Sequence, residues 1–121
     1  MEEFVSRLLV AGGIAVAASA AAMLARRGRA WRRRAFESSD LGPGVHLFSS
    51  ESCSSCARAR SVIERAGLPF AEHTYEDQAR LLEDNGITRV PTVAWVPVGG
   101  GEGWAAEGVP TARALARWVG P

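Results

Sequence analysis

An uncharged segment followed directly by an arginine-rich one divides the chain and limits what the rest of it can form. Residues 8–25 carry no charged side chain, and six arginines follow within residues 26–34. A helix over these 18 residues would rise about 27 Å, close to the roughly 30 Å of a bilayer's hydrocarbon core. Arginines beside an apolar span favour the cytoplasmic side of a membrane. We therefore expect residues 1–25 to form a transmembrane helix of a single-pass protein whose remainder is cytoplasmic.

The apolar segment is open to three other interpretations. A secretory signal peptide begins with a basic region, whereas Glu2, Glu3 and a single Arg7 precede this run. Small residues at positions 18–22 nevertheless resemble a signal cleavage site. A buried helix of a globular domain is the second alternative. An exported domain anchored on the other side of the membrane is the third.

Residues 26–43 are interpreted as a basic juxtamembrane linker. Trp31 lies among the arginines, and an aromatic side chain suits a membrane interface. The first 40 residues carry a net charge of +3 and the rest −2, although the whole chain carries only +1. This asymmetry predicts contact between the linker and anionic head groups. No further basic surface is evident downstream, so nucleic acid is not an expected partner.

Residues 44–121 alternate between strand and helix patterns and are interpreted as one domain. Strands are predicted at residues 44–49, 70–75, 92–96 and 104–107, and helices at residues 52–66, 77–85 and from residue 111 onward. The first strand–helix–strand unit implies a parallel pair, and the glycine-rich turn at residues 99–103 implies an antiparallel one. The predicted fold class is α/β, with a mixed four-stranded sheet in the order β-α-β-α-β-β-α.

Cys53 and Cys56 are the only cysteines, and they are spaced as C-x-x-C at the start of a predicted helix. Two cysteines exclude a disulfide-rich scaffold and a four-cysteine metal site. The free N–H groups and the dipole of a helix N-terminus lower the pKa of the first thiol. The second thiol lies one turn further along and can attack a mixed disulfide. We expect Cys53 to be the attacking cysteine and Cys56 the resolving one.

The C-x-x-C spacing alone leaves two alternatives open. The pair could be half of a metal site, for which the only further histidines are His46 and His73. It could also be an inert structural pair. A serine-rich segment surrounds the motif, which is atypical of a buried pair.

A second motif lies immediately before the third predicted strand, where residues 86–92 read G-I-T-R-V-P-T. Together with C-x-x-C and the order of elements, it resembles the thioredoxin family over residues 44–121. The resemblance implies a cis Val90–Pro91 bond facing the cysteines, with Val90, Pro91 and Thr92 forming the substrate-binding edge. The residues between the cysteines differ from the family's Gly-Pro and Pro-Tyr pairs, so the resemblance implies neither a strong reductant nor a strong oxidant.

The resemblance implies a thiol–disulfide oxidoreductase, and with the expected transmembrane helix the chain is predicted to be a membrane-anchored one. Its dithiol carries the electrons, so neither an organic cofactor nor a metal is required. The expected partners are disulfide-containing proteins or small-thiol disulfides, a recycling reductase or thiol pool, and the membrane. The alternative from another class is a non-catalytic thioredoxin-like module that binds a partner or senses redox state.

Overall fold

The computed structural model describes residues 2–3, 5–7, 9–10, 16–22 and 31–119. The chain separates into two units, residues 1–30 and residues 31–121. In the first unit, the described residues are helical and exposed. The second unit holds the predicted α/β elements, and it begins at Trp31 rather than at Gly44.

The prediction of a single-pass membrane protein is wrong. No helix among the described residues is long and apolar enough to cross a membrane. The predicted span, residues 8–25, includes residues 8, 11–15 and 23–25, which lie outside the described residues. The segment is uncharged but rich in alanine and glycine, whose small side chains contribute little apolar area.

The second unit is built on a mixed five-stranded sheet. Its strands are β1 (Arg33–Phe36), β2 (Gly44–Ser49), β3 (Phe70–Thr74), β4 (Thr92–Val96) and β5 (Gly103–Glu107), in the spatial order β1-β5-β4-β2-β3. Its helices are α1 (Ser54–Arg65), α2 (Tyr75–Asp84) and α3 (Ala112–Trp118). Strands β2 and β3 are parallel, and the other neighbouring strands are antiparallel. The predicted α/β class and mixed sheet are confirmed.

The sheet has five strands rather than the predicted four, because β1 lies in the segment interpreted as a linker. Arg33 pairs with Ala106 and Phe36 with Gly103, so β1 extends the sheet beyond β5. Only Phe36 of this strand is buried, and its other three residues are exposed. Because it is rich in arginine, this edge strand has the composition of a solvated linker. Charged side chains on an edge strand also oppose its pairing with strands of other molecules.

The alternation of side chains along β2 separates two hydrophobic clusters, one on each face of the sheet. Val45 and Leu47 pack with Ala59 and Ile63 of α1 and with Leu115 of α3. Phe48 faces the opposite side of the sheet, where it packs in a second cluster with Leu82 of α2. Helices α1 and α3 therefore cover one face of the sheet, and α2 covers the other.

Three tryptophans pack against one another and connect the start of the second unit to its last strand and helix. Trp31 is 8% exposed and stacks on Trp118 at 5.0 Å between ring centroids, and it meets Trp104 edge to face at 5.9 Å. The indole N–H of Trp31 also donates to the carbonyl of Gly108 at 3.0 Å. Trp31 is thus part of the core and not, as its arginine neighbours suggested, a membrane-interface residue.

Replacing Trp31 by alanine is expected to lower the free energy of unfolding by about 3–5 kcal/mol, because a large buried aromatic is lost. Trp31→Phe keeps the stacking but loses the hydrogen bond to Gly108, and it should cost less than Trp31→Ala. Arg32→Ala, at the exposed neighbouring position, is the matched control and should change stability by less than about 0.5 kcal/mol. Urea unfolding measures all three. Equal effects of Trp31→Ala and Arg32→Ala would show that Trp31 lies outside the core.

His46 and His73 form a hydrogen-bonded pair between β2 and β3. His46 Nε2 lies 2.7 Å from the carbonyl oxygen of Gly42, and because a carbonyl only accepts, this nitrogen carries a hydrogen. In neutral His46 the other nitrogen, Nδ1, therefore accepts from His73 Nε2, 2.9 Å away. Burial lowers the pKa of His46 below its ordinary 6.5, opposed by the hydrogen bond to Gly42 and assisted by His73.

The lowered pKa of His46 predicts a loss of stability in acid. As pH falls through 6.5, the unfolded chain takes up a proton that the folded chain resists, so the free energy of unfolding decreases. Between neutral pH and about pH 5.5 this group is expected to remove up to about 1 kcal/mol. His46→Gln should lose less stability than the unmodified chain over that interval. Identical pH dependence of urea unfolding in both proteins would contradict the assignment.

Candidate active site

The C-x-x-C motif lies where β2 passes into α1. Strand β2 ends at Ser49, a short turn follows, and the backbone N–H of Cys53 donates to the carbonyl of Ser50 at 3.2 Å. Cys53 has extended backbone angles and is the N-cap of α1, and its sulfur accepts from the N–H of Cys56 at 3.2 Å. The sulfur therefore takes the place of the oxygen that ordinarily caps a helix. Such a position stabilises negative charge on the first sulfur.

Cys53 and Cys56 form a disulfide, with their Cα atoms 5.3 Å apart. The two cysteines differ in exposure, since Cys53 is half-buried and Cys56 is only 1% exposed. Cys56 lies on the same helical face as Ala59 and Ile63, which pack into the core. The sequence places the second cysteine on that face because residues three and four apart share one side of a helix. Solvent and other molecules therefore reach the first sulfur more readily than the second.

The turn before Cys53 is held by the carboxylate of Glu76, in the first turn of α2. The hydroxyl of Ser50 donates to Glu76 Oε1 at 2.7 Å, and the backbone N–H of Glu51 lies 3.2 Å from both carboxylate oxygens. The hydrogen bond from Ser50 is the largest of the causes that lower the pKa of Glu76. Glu76 thus connects the loop that carries Cys53 to helix α2 by hydrogen bonds. No motif in the sequence marks Glu76 as part of the site.

A second carboxylate supports α1 from the sheet. Arg60 donates two hydrogen bonds to Glu72, at 2.5 and 2.7 Å, and the hydroxyl of buried Ser49 donates to the same carboxylate at 2.9 Å. Hydrogen bonding to Arg60 is the main reason that the pKa of Glu72 lies below its ordinary value. Arg60 follows Cys56 by one helical turn, so this network fixes the helix near the buried sulfur. The alternation of side chains along β3 predicts that Glu72 lies on one face of the sheet. The hydrogen bonds between Arg60 and Glu72 are evident only in the folded structure.

The proline motif lies at the same end of the sheet as the cysteines. The Val90–Pro91 bond is cis, as the resemblance implies. Phe48, near the end of β2, pairs with Thr92 at the start of β4. Because these strands are antiparallel, the segment that leads into β4 and the segment that follows β2 lie at the same end of the sheet. The structure therefore brings the two sequence motifs to the same end of the domain.

Two hydrogen bonds shape the segment around Pro91. The Thr92 hydroxyl donates to the carbonyl of Arg89 at 2.6 Å, and the Pro91 carbonyl accepts from the N–H of Gly108 at 2.8 Å. Pro91 and Thr92 are buried, and Val90 is half-buried. Gly108, with a φ of +100°, is also the residue whose carbonyl accepts from Trp31. Trp31 therefore supports the proline segment through a single intervening residue.

The histidines do not extend the cysteine pair into a metal site. His46 and His73 bond to each other and, at their outer nitrogens, to Gly42 and Gln78. In the described part of the chain, no group of three or more histidine, cysteine or acidic side chains is arranged to hold a metal ion.

Comparison with solved structures finds a similarity to a Northeast Structural Genomics target protein, XcR50 from X. campestris. The two chains are 25% identical, the similarity covers 64% of this chain and 99% of that one, and the TM-score is 0.44. Neither a protein-family model nor a curated protein matches the chain. A TM-score below 0.5 carries no functional argument. The resemblance to the thioredoxin family therefore rests on the order of elements, the C-x-x-C disulfide and the proline motif.

Proposed function

We propose that the chain is a thiol–disulfide oxidoreductase in which Cys53 attacks a substrate disulfide and Cys56 resolves the mixed disulfide. One observation carries the proposal: the disulfide joins Cys53, a half-buried residue at a helix N-cap, to Cys56, a residue that is only 1% exposed. The first position suits a thiolate nucleophile, and the second protects a thiol from competing reactions.

The proposed reaction begins with the reduced pair. The Cys53 thiolate attacks one sulfur of the substrate, forms a mixed disulfide and releases the other sulfur as a thiolate. Cys56 then loses its proton and attacks the Cys53 sulfur, which releases the second substrate thiolate. Two electrons pass to the substrate, and the chain is left with the Cys53–Cys56 disulfide. An external dithiol or thiol pool must return two electrons for the next cycle, and the reverse sequence oxidises a dithiol substrate.

Val90, Pro91 and Thr92 are proposed as the edge against which the substrate docks. The Pro91 carbonyl is already occupied by Gly108. By contrast, Val90 lies outside the helices and strands, and its backbone makes no backbone–backbone hydrogen bond within the described chain. A substrate segment lying in extended form beside Val90 would satisfy these backbone groups, as a strand does when it joins a sheet edge.

The division of labour between the cysteines is tested by trapping. Cys56→Ser retains the attacking thiol but cannot resolve, so it should accumulate mixed disulfides with a disulfide protein such as insulin. Cys53→Ser should accumulate at least about tenfold fewer, because its remaining thiol is buried. The unmodified chain should reduce insulin catalytically in the presence of excess dithiol. Non-reducing gels and mass spectrometry identify the trapped species and the sulfur that holds them.

The double variant Cys53→Ser/Cys56→Ser is the control for non-covalent association. Trapping through Cys56 alone, or equal trapping by the two single variants, would contradict the assigned roles. Retention of a partner by the double variant, without insulin reduction by the unmodified chain, would favour the binding-module alternative.

A further inference from the structure

We infer that a groove along the outer side of α1 binds an acidic segment of the substrate beside its disulfide. This inference rests on the proposed function. The groove has a volume of about 410 Å³ and is lined by Ala57, Arg58, Ser61, Val62, Arg65 and Val109. Its size falls in the range of sites that hold part of a peptide.

The groove begins beside the cysteines. Ala57 directly follows Cys56, and the lining positions of α1 recur every three or four residues, so they form one stripe along the helix. Val109 closes the groove from the other side and follows Gly108, which binds the Pro91 carbonyl. A substrate held at the cysteines and the proline segment can therefore extend directly into this groove.

The lining combines an apolar floor with two cations. Ala57, Val62 and Val109 supply apolar surface, while Arg58 and Arg65 stand seven residues apart, about 10 Å along the helix axis. Arg58 donates to the Ser55 hydroxyl at 3.3 Å. The ion pair found in the described part of the chain is formed by Arg60 and Glu72, so neither groove arginine is neutralised by a carboxylate there. Two such guanidinium groups match carboxylates in charge and in hydrogen-bonding geometry.

The opposite flank of the cysteines carries the opposite charge. Glu51, Glu76 and Asp77 are exposed where the loop before Cys53 meets α2. Helix α2 covers the other face of the sheet from α1, so acidic and basic groups lie on different sides of the disulfide. An acidic segment is attracted to the α1 side and repelled from the α2 side, and this asymmetry sets the orientation of the substrate. The occupant of the groove is therefore an acidic polypeptide segment within about 10 Å of the substrate's disulfide.

The test measures reaction of the reduced full chain with three synthetic peptides. Each peptide has one cysteine linked to 2-thiopyridine, with two glutamates, two glutamines or two lysines on one side of it. The chain's two thiols become a disulfide, and the peptide thiol and 2-thiopyridone are released, so released thiopyridone reports the rate without a recycling reductant. We expect the glutamate peptide to react fastest and the lysine peptide slowest. Each arginine should contribute a factor of about two to five, which should fall as salt is added.

Arg58→Gln/Arg65→Gln is the decisive variant, because it removes both groove cations from exposed positions. Arg32→Gln/Arg34→Gln is the matched control, since it changes net charge equally at exposed positions outside the groove and away from α2. Circular dichroism checks that both variants fold. The rate ratio between the glutamate and lysine peptides should fall towards one in the groove variant and stay unchanged in the control variant.

The outcomes separate this inference from the function it rests on. Release of thiopyridone at equal rates from all three peptides would overturn the inference and leave the oxidoreductase proposal standing. An unchanged ratio in Arg58→Gln/Arg65→Gln, or an equal loss in the control variant, would also overturn the assignment to this groove. No release from any peptide by the unmodified chain would overturn the proposed function and the inference together.

Discussion

The antiparallel pairing of β2 with β4 is the contact on which the candidate site depends. It places the end of β2, which leads to the C-x-x-C motif, beside the start of β4, which the cis Val90–Pro91 bond precedes. These two motifs are far apart in the sequence, and neither forms a site alone. The parallel pairing of β2 with β3 adds a second constraint, because it brings Glu72 under α1 and lets it bind Arg60 and Ser49.

The different sides of helix α1 carry residues of different chemical character. Its N-cap holds the sulfur of Cys53, and its core-facing side buries Cys56 among apolar residues. Its outer side presents Arg58 and Arg65 to a groove whose lining begins at Ala57, the residue after Cys56. The exposure of each residue thus follows from where it falls in the helical repeat, and the proposed reactivity and substrate preference rest on the same positions. Trp31 contributes from a distance, since it holds Gly108 and, through it, the segment around Pro91.

The sequence allowed the element order after residue 44 to be predicted, because those strands and helices carry local signals. An imperfect alternation marks β3 and a short apolar run marks β4, and Gly67 and Gly86, both at positive φ, follow the ends of two helices. Strand β1 was missed because most of its residues are exposed arginines, and only pairing with β5 makes the segment a strand. The prediction that Trp31 lies at a membrane interface was wrong because the residues it packs against lie at the far end of the chain. The membrane prediction relied on the absence of charge over residues 8–25, and no helix among the described residues is long and apolar enough to cross a membrane.

A redox titration of the Cys53–Cys56 pair tests the central claim most directly. The full chain is equilibrated in buffers of graded dithiol and disulfide, and the fraction of free thiol is measured by alkylation and mass spectrometry. A working oxidoreductase should show one two-electron transition between about −120 and −270 mV, the interval spanned by catalytic pairs of this kind. A pair that stays oxidised below about −300 mV would be a structural disulfide, and that result would contradict the account.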